Sequence, residues 1–250
     1  MNNLLLQLSK IQSIWYDNIE RRLLKNGELK QLIADGISGV TSNPAIFEKA
    51  ILSSGDYDAD ITRLARAGKG PGDIYTELTL TDIAQAADIL IPVFEKSNHQ
   101  DGYVSIEVSP EYAYDADKTI DSARNLFGRL GRPNVMIKVP ATAACIPAIR
   151  QLISDGINVN ATLIFSMAHY QAVADAYIAG LAHRLKNGRP INTVFSVASV
   201  FISRLDTRID TMVTDDTFRG KAAVAHTKQV YQMYRDIFYP DTPCVSGQAG

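Results

Sequence analysis

What most constrains the fold of this chain is a repeated pairing of a short apolar or β-branched run with a longer segment of helical periodicity. The runs are SIWYDN (13–18), GISGV (36–40), YVSIEV (103–108), VMIKV (135–139), INVNATLIF (157–165) and TVFSVAS (193–199). Helical patterns are expected over 19–36, from Pro44 after the N-cap candidate Asn43, and over 71–96, 115–131, 141–154, 166–186, 200–213 and 217–238. Strands that are apolar nearly throughout belong to parallel sheets whose faces are covered by helices. That leaves a closed β/α barrel or an open doubly wound sheet. Neither GxGxxG nor GxxxxGK[ST] occurs, so the usual nucleotide signals of the open sheet are missing.

Polar residues interrupt or end these runs: Asp17 in the first, Thr41 and Asn43 after the second, Glu107, Lys138, Asn160 with Thr162, and Ser199. In a β/α barrel the carboxyl ends of the strands converge on one mouth, where groups from different strands meet. The 250 residues suit one such domain, and no linker or fixed-period repeat divides them. The formal charge of -2 supplies no electrostatic reason to bind nucleic acid or an acidic membrane, so an anionic ligand must be held by local groups. Cys145 and Cys244 lie far apart without metal-ligand spacing, and neither a disulfide framework nor a zinc site is indicated. No run approaches 18 uninterrupted apolar residues, and the N-terminus lacks a basic leader and cleavage site, so a cytoplasmic protein is expected.

Lys138 stands between Ile137 and Val139, where an ammonium is expensive unless paired or neutral. It could be a strand-end lysine reaching water. Alternatively, a desolvated lysine with a lowered pKa attacks a ketone to form a Schiff base, whose protonated imine draws electrons from an adjacent carbon–carbon bond. Such chemistry needs a proton shuttle; Glu107 interrupts the preceding run and Asp17 the first, and among apolar or aromatic flanks each must find a hydrogen-bond partner or a raised pKa. Each is either a structural ion-pair partner or half of an acid/base set.

GVTSNPAIFEKAI (39–51), YVSIEVSP (103–110), NVMIKVPAT (134–142) and GINVNATLIFS (156–166) resemble successive signature segments of the transaldolase family, in order. The likeness extends from Asp17 through Arg204 and is greater to the longer bacterial type than to the compact fructose-6-phosphate aldolases. It implies an α/β fold of the (β/α)8 barrel type and a transferase needing neither metal nor cofactor. Such enzymes move a dihydroxyacetone unit from sedoheptulose 7-phosphate or fructose 6-phosphate to an aldose phosphate, in the pentose phosphate pathway. By the resemblance, Lys138 forms the Schiff base, Glu107 shuttles protons through a bound water, and Asp17 exchanges the hydroxyl proton as the carbon–carbon bond breaks and forms. Asn43 and Asn160 hold donor hydroxyls, Thr41 and Thr162 flank the pocket, and Thr162 positions the water. Ser199 contacts a hydroxyl and Arg204 a phosphate, for which a guanidinium fork is well suited. Asn43 could equally be only a helix cap, and Arg204 could pair with Asp206 or Asp210. His99, His169, His183 and His226 match no catalytic position and are expected at the surface or in helix packing.

Residues 52–100 form a mainly helical insertion in the single domain 1–250, so that about six of the eight β/α units are expected. After the helix ending near Phe238 only YPDTPCVSGQAG follows. The expectation is a barrel incomplete at its C-terminal side, with edges that favour self-association into a homo-oligomer. An aldolase releasing free dihydroxyacetone and an impaired relative that only binds sugar phosphates are the alternative functions.

Overall fold

Strands and helices alternate along the computed structural model, which describes residues 3–240; Cys244 and the last ten residues lie outside them. A short helix α1 (Leu4–Leu8) precedes β1 (Trp15–Tyr16), followed by α2 (Arg21–Lys25), α3 (Glu28–Ala34) and β2 (Gly39–Thr41). Three helices come next: α4 (Pro44–Ser53), α5 (Asp58–Arg66) and α6 (Pro71–Lys96). The rest is β3 (Val104–Glu107), α7 (Ala116–Leu130), β4 (Val135–Pro140), α8 (Ile146–Asp155), β5 (Val159–Ile164), α9 (Met167–Lys186), β6 (Ser196–Val200), α10 (Ser203–Asp210) and α11 (Ala222–Phe238). All the strands are parallel, and their spatial order is their chain order, β1 to β6. This is a curled half-barrel of β/α units.

The curl can be read from side-chain contacts that skip a strand. Alternate strands of a flat sheet stand about 9.6 Å apart. Yet the Asn160 amide on β5 donates to the Ser105 hydroxyl on β3 at 3.0 Å, across β4. Side chains on the concave face converge, and they sort into two layers. Trp15, Tyr103, Met136, Phe195 and Val197 make an apolar floor, joined by Phe94 and Ile91 of α6. Two residues further along the strands, on the same face by the period of two, come Asp17, Ser105, Lys138 and Ser199. On the convex face Val104, Ile106, Val135, Ile137, Val139, Val159 and Ala161 pack beneath the helices in the main core. Each fully buried Val or Ile contributes about 1.5–3 kcal/mol over an exposed one.

Gly39 shows how closely the floor is built. A Cβ there would stand 2.5 Å from the Trp15 indole, which lies across β2 and donates from Nε1 to Asp101 at 3.0 Å.

A polar cluster fastens the helical segment between β2 and β3 to α2. Arg21 of α2, 1% exposed, bonds through Nε to Asp82 of α6 at 2.9 Å and through Nη1 to Asp60 of α5. The Tyr57 hydroxyl donates to the other Asp82 oxygen at 2.9 Å and accepts from the Arg21 backbone N–H at 3.0 Å. Burial pushes the Asp82 carboxyl above its ordinary range, against the opposing pull of the Arg21 charge.

The sequence led us to expect one helix over 19–36, and the structure corrects this. Asn26 and Gly27 break the segment into α2 and α3, with Gly27 at φ 81°, a left-handed conformation that glycine adopts without a Cβ clash. Three other helices start three or more residues later than periodicity suggests: α8 at Ile146, α10 at Ser203 and α11 at Ala222. Among the described residues no helix is long and apolar enough to cross a membrane.

Candidate active site

Lys138 lies on β4, flanked by β3 and β5, in register with Glu107 on one side and Asn160 on the other. Its ammonium is 3.7 Å from Glu107 Oε2 and donates to the Ser42 carbonyl at 3.4 Å, while only 7% of the residue is exposed. The lysine therefore does not reach out to water. It turns into the concave face because its strand neighbours Ile137 and Val139 take the opposite one. Burial pushes the Glu107 carboxyl above its ordinary pKa. The Lys138 charge and hydrogen bond, and then the Arg204 charge, pull it back, while the Asp17 charge adds to the rise.

Asn160, 2% exposed, donates from Nδ2 to Ser105 Oγ at 3.0 Å, and its Oδ1 accepts from the Ser199 hydroxyl at 2.8 Å. The hydroxyls of Thr41 and Thr162 are buried beside this row, and neither has a hydrogen-bond partner among the described residues. Burying a hydroxyl unpaired is costly, so both are suited to meet a polar ligand. Beyond Thr162 the backbone departs from regular pairing: Leu163 has φ 62°, and the β5–β6 register shifts between Ala161 and Ile164. A left-handed leucine is a rare, strained conformation of the sort that gathers at functional sites.

The other sequence candidates sit around this centre. Asn43 does cap α4, its Oδ1 accepting from the Ile46 N–H at 3.0 Å, which leaves the amide N–H₂ for a second partner. Asp17 is exposed, so it does not need the buried partner that its apolar flanks led us to expect. Arg204 at the start of α10 is exposed and stacks over the Phe201 ring at 5.0 Å. It pairs with neither Asp206 nor Asp210, whose carboxylates accept from the N–H groups of Ala223 and Gly220. Of the histidines, His169 is exposed, His99 stacks on Phe94 and His183 bonds to Ser154. His226 is half-buried on α11.

A cavity of about 590 Å³ opens beside Glu107, lined also by Asn43, Phe47, Tyr75, Ser109 and Tyr112. The Tyr75 phenol is pushed up to about 12 by burial, then by the charges of Glu107 and Glu48. A larger groove of about 730 Å³ lies along β6, α9 and α11 and contains none of the site residues.

The family profile described as Transaldolase/Fructose-6-phosphate aldolase matches residues 14–246. The chain belongs to this family. It is 48% identical to transaldolase 2 of Nostoc sp., over 92% of this chain and 65% of the relative. Against the transaldolase of Trichodesmium erythraeum identity is 45%, over 96% of this chain and 68% of the relative. Against that of Thiobacillus denitrificans it is 46%, over 91% and 65%. The chain thus spans about two thirds of the length of these curated relatives.

Sequence reasoning passed over Ser42, Ser105 and Tyr75. The signal for Ser105 was available, since it stands two residues before Glu107 and so shares its face. Ser42 meets Lys138 through its backbone carbonyl, which has no sequence signature. Tyr75 comes from α6, far from any strand in the chain.

Proposed function

We propose that this chain carries transaldolase chemistry, transferring a dihydroxyacetone unit between sugar phosphates through a Schiff base on Lys138. The donor is sedoheptulose 7-phosphate and the acceptor glyceraldehyde 3-phosphate, giving erythrose 4-phosphate and fructose 6-phosphate. The observation that carries the reading is a buried lysine whose ammonium faces a half-buried carboxyl with a raised pKa, beside two hydroxyls with no hydrogen-bond partner among the described residues.

In this reading the free amine of Lys138 attacks the donor ketone, and Glu107 supplies a proton as the carbinolamine loses water. A carboxyl held above its ordinary pKa keeps that proton nearer neutrality. Asp17 takes the proton of the hydroxyl on the far carbon of the breaking bond, that carbon becomes the aldehyde, and the bonding pair flows into the iminium to give an enamine. The released aldose phosphate leaves, the enamine attacks the acceptor aldehyde, and Asp17 returns the proton to the new hydroxyl. Water then releases the product ketose from Lys138. Asn43 and Asn160 hold the donor hydroxyls, aided by Ser199, and Thr41 and Thr162 offer their hydroxyls to the adduct or to the water leaving it. Arg204, unpaired with its helical neighbours, is free to take the phosphate.

Borohydride reduction with fructose 6-phosphate tests this. Covalent labelling of the wild type and none of Lys138→Ala is expected; labelling that survives the substitution refutes the role of the lysine. Product analysis with and without acceptor separates transfer from simple release of dihydroxyacetone.

A further inference from the structure

We propose that Ser105 is a positioning residue that, with Ser199, holds the plane of the Asn160 amide and so governs whether the dihydroxyacetone adduct on Lys138 is transferred or lost to water. The inference rests on the Schiff-base reading above. An asparagine amide has two N–H donors and an oxygen with two lone pairs. In Asn160 one N–H goes to Ser105 on β3 and one lone pair accepts from Ser199 on β6. The amide is thus anchored at both ends from opposite sides, and what remains is one N–H and one lone pair in a fixed plane beside Lys138.

Ser105 is suited to this by position. It is fully buried, one step below Glu107 on the concave face, and directly above Tyr103 of the apolar floor. Its backbone carbonyl accepts from the Ser42 hydroxyl at 2.7 Å, and the Ser42 carbonyl in turn accepts from Lys138. The amide, the lysine and the loop carrying Asn43 are therefore tied through one serine. With an alanine at 105 the amide would keep only the bond to Ser199, which lies on a half-exposed strand, and could rotate about its Cβ–Cγ bond. A loosely held adduct meets water more often: the enamine carbon takes up a proton, water adds to the resulting iminium and gives that proton back, and free dihydroxyacetone leaves as the Lys138 amine is regenerated, so that water is the one net reactant.

The decisive quantity is the ratio of free dihydroxyacetone to transferred product, measured on the full chain with fructose 6-phosphate as donor and glyceraldehyde 3-phosphate as a labelled acceptor. Because it is a ratio, it does not depend on how much of the protein is folded, which a merely structural serine would change. Ser105→Ala should still be trapped by borohydride on Lys138 while the ratio rises about tenfold, as the loss of one hydrogen bond from a misaligned Asn160 amide to the adduct would give. Ser105→Cys, close in size but a weak hydrogen bonder, should raise it too, and Ser105→Thr, which keeps the hydroxyl, should stay near wild type. A ratio unchanged within about twofold in the alanine and cysteine variants, or raised equally in the threonine variant, overturns the inference and leaves the Schiff-base reading standing. Absence of borohydride labelling in the wild type overturns both.

Discussion

Gly39→Ala introduces a steric contact without straining the backbone. The φ of Gly39 lies outside the left-handed region, so alanine can adopt its conformation, but the new Cβ would stand 2.5 to 2.6 Å from three atoms of the Trp15 indole. Ordinary carbon contacts are 3.5 Å or more, so the ring must move by about 1 Å. That movement stretches the bond from Nε1 to Asp101 and disturbs the stack on Tyr103, whose centroid is 6.4 Å away. Overpacking of this kind costs about 1–3 kcal/mol, and the weakened hydrogen bond adds about 1 kcal/mol. Because Trp15 is half-buried and can give some way, we expect a loss of about 2–3 kcal/mol, read from the midpoint of urea unfolding. In a Trp15→Ala background the clash is gone, and the same glycine substitution should become neutral or stabilising by about 0.4–1 kcal/mol through the unfolded chain. Equal destabilisation in both backgrounds would refute the steric account. Trp15 and Gly39 lie two residues before Asp17 and Thr41, so the single variant should also weaken borohydride labelling.

Arg21→Met should cost about 3–5 kcal/mol by leaving Asp82 charged and buried, and Arg21→Met/Asp82→Leu should recover much of it; equal losses in urea unfolding would argue against the ion pair. At Leu163 glycine relieves the left-handed strain and should stay within about 1 kcal/mol of wild type, whereas valine should be about 1–2 kcal/mol worse than glycine. Equal unfolding midpoints for the two would count against strain there. Glu107 has a raised pKa in the fold, so the stability it contributes is fully present below its ordinary value and is lost as pH rises through the raised one. Relative to Glu107→Gln, the wild type should therefore lose stability on going from about pH 4 to neutrality, and a flat difference would contradict the burial argument. The glutamine variant should also lose the limb that this carboxyl gives the pH profile of Schiff-base formation.

Strand parity made much of this molecule legible in advance. VMIKV has no polar residue but Lys138, and the neighbours that take the helix-covered face leave the lysine only the concave one. The same reasoning places Glu107 and Asn160, because parallel strands of consecutive units lie side by side. Helix breaks were harder to read. The 19–36 segment carries a continuous apolar stripe, and only the left-handed preference of Gly27 overrides it. Burial could not be read from flanking residues either: Asp17 sits among aromatic neighbours yet is exposed, because β1 is two residues long and ends before it. The Arg21, Asp82 and Tyr57 cluster joins residues up to 61 positions apart and depends on where α6 crosses α2.

The placement of the candidate residues follows a mechanical logic. Glu107, Lys138 and Asn160 occupy one register row across β3, β4 and β5, strands paired along most of their length and packed on the main core. Groups that must exchange protons with an amine need fixed separations, and this row supplies them. Asp17 and Arg204 lie past the ends of β1 and β6 and are exposed. In the proposed reaction these two meet the part of the sugar that leaves and is replaced, which requires access to solvent. Ser199 links the two zones, since it stands on half-exposed β6 and bonds to the buried Asn160. A substitution within the central row should therefore impair formation of the adduct itself. One at Asp17 or Arg204 should leave borohydride labelling by dihydroxyacetone intact and slow only the exchange of aldose phosphates. Loss of labelling in Arg204→Ala would show that the two zones are not separable.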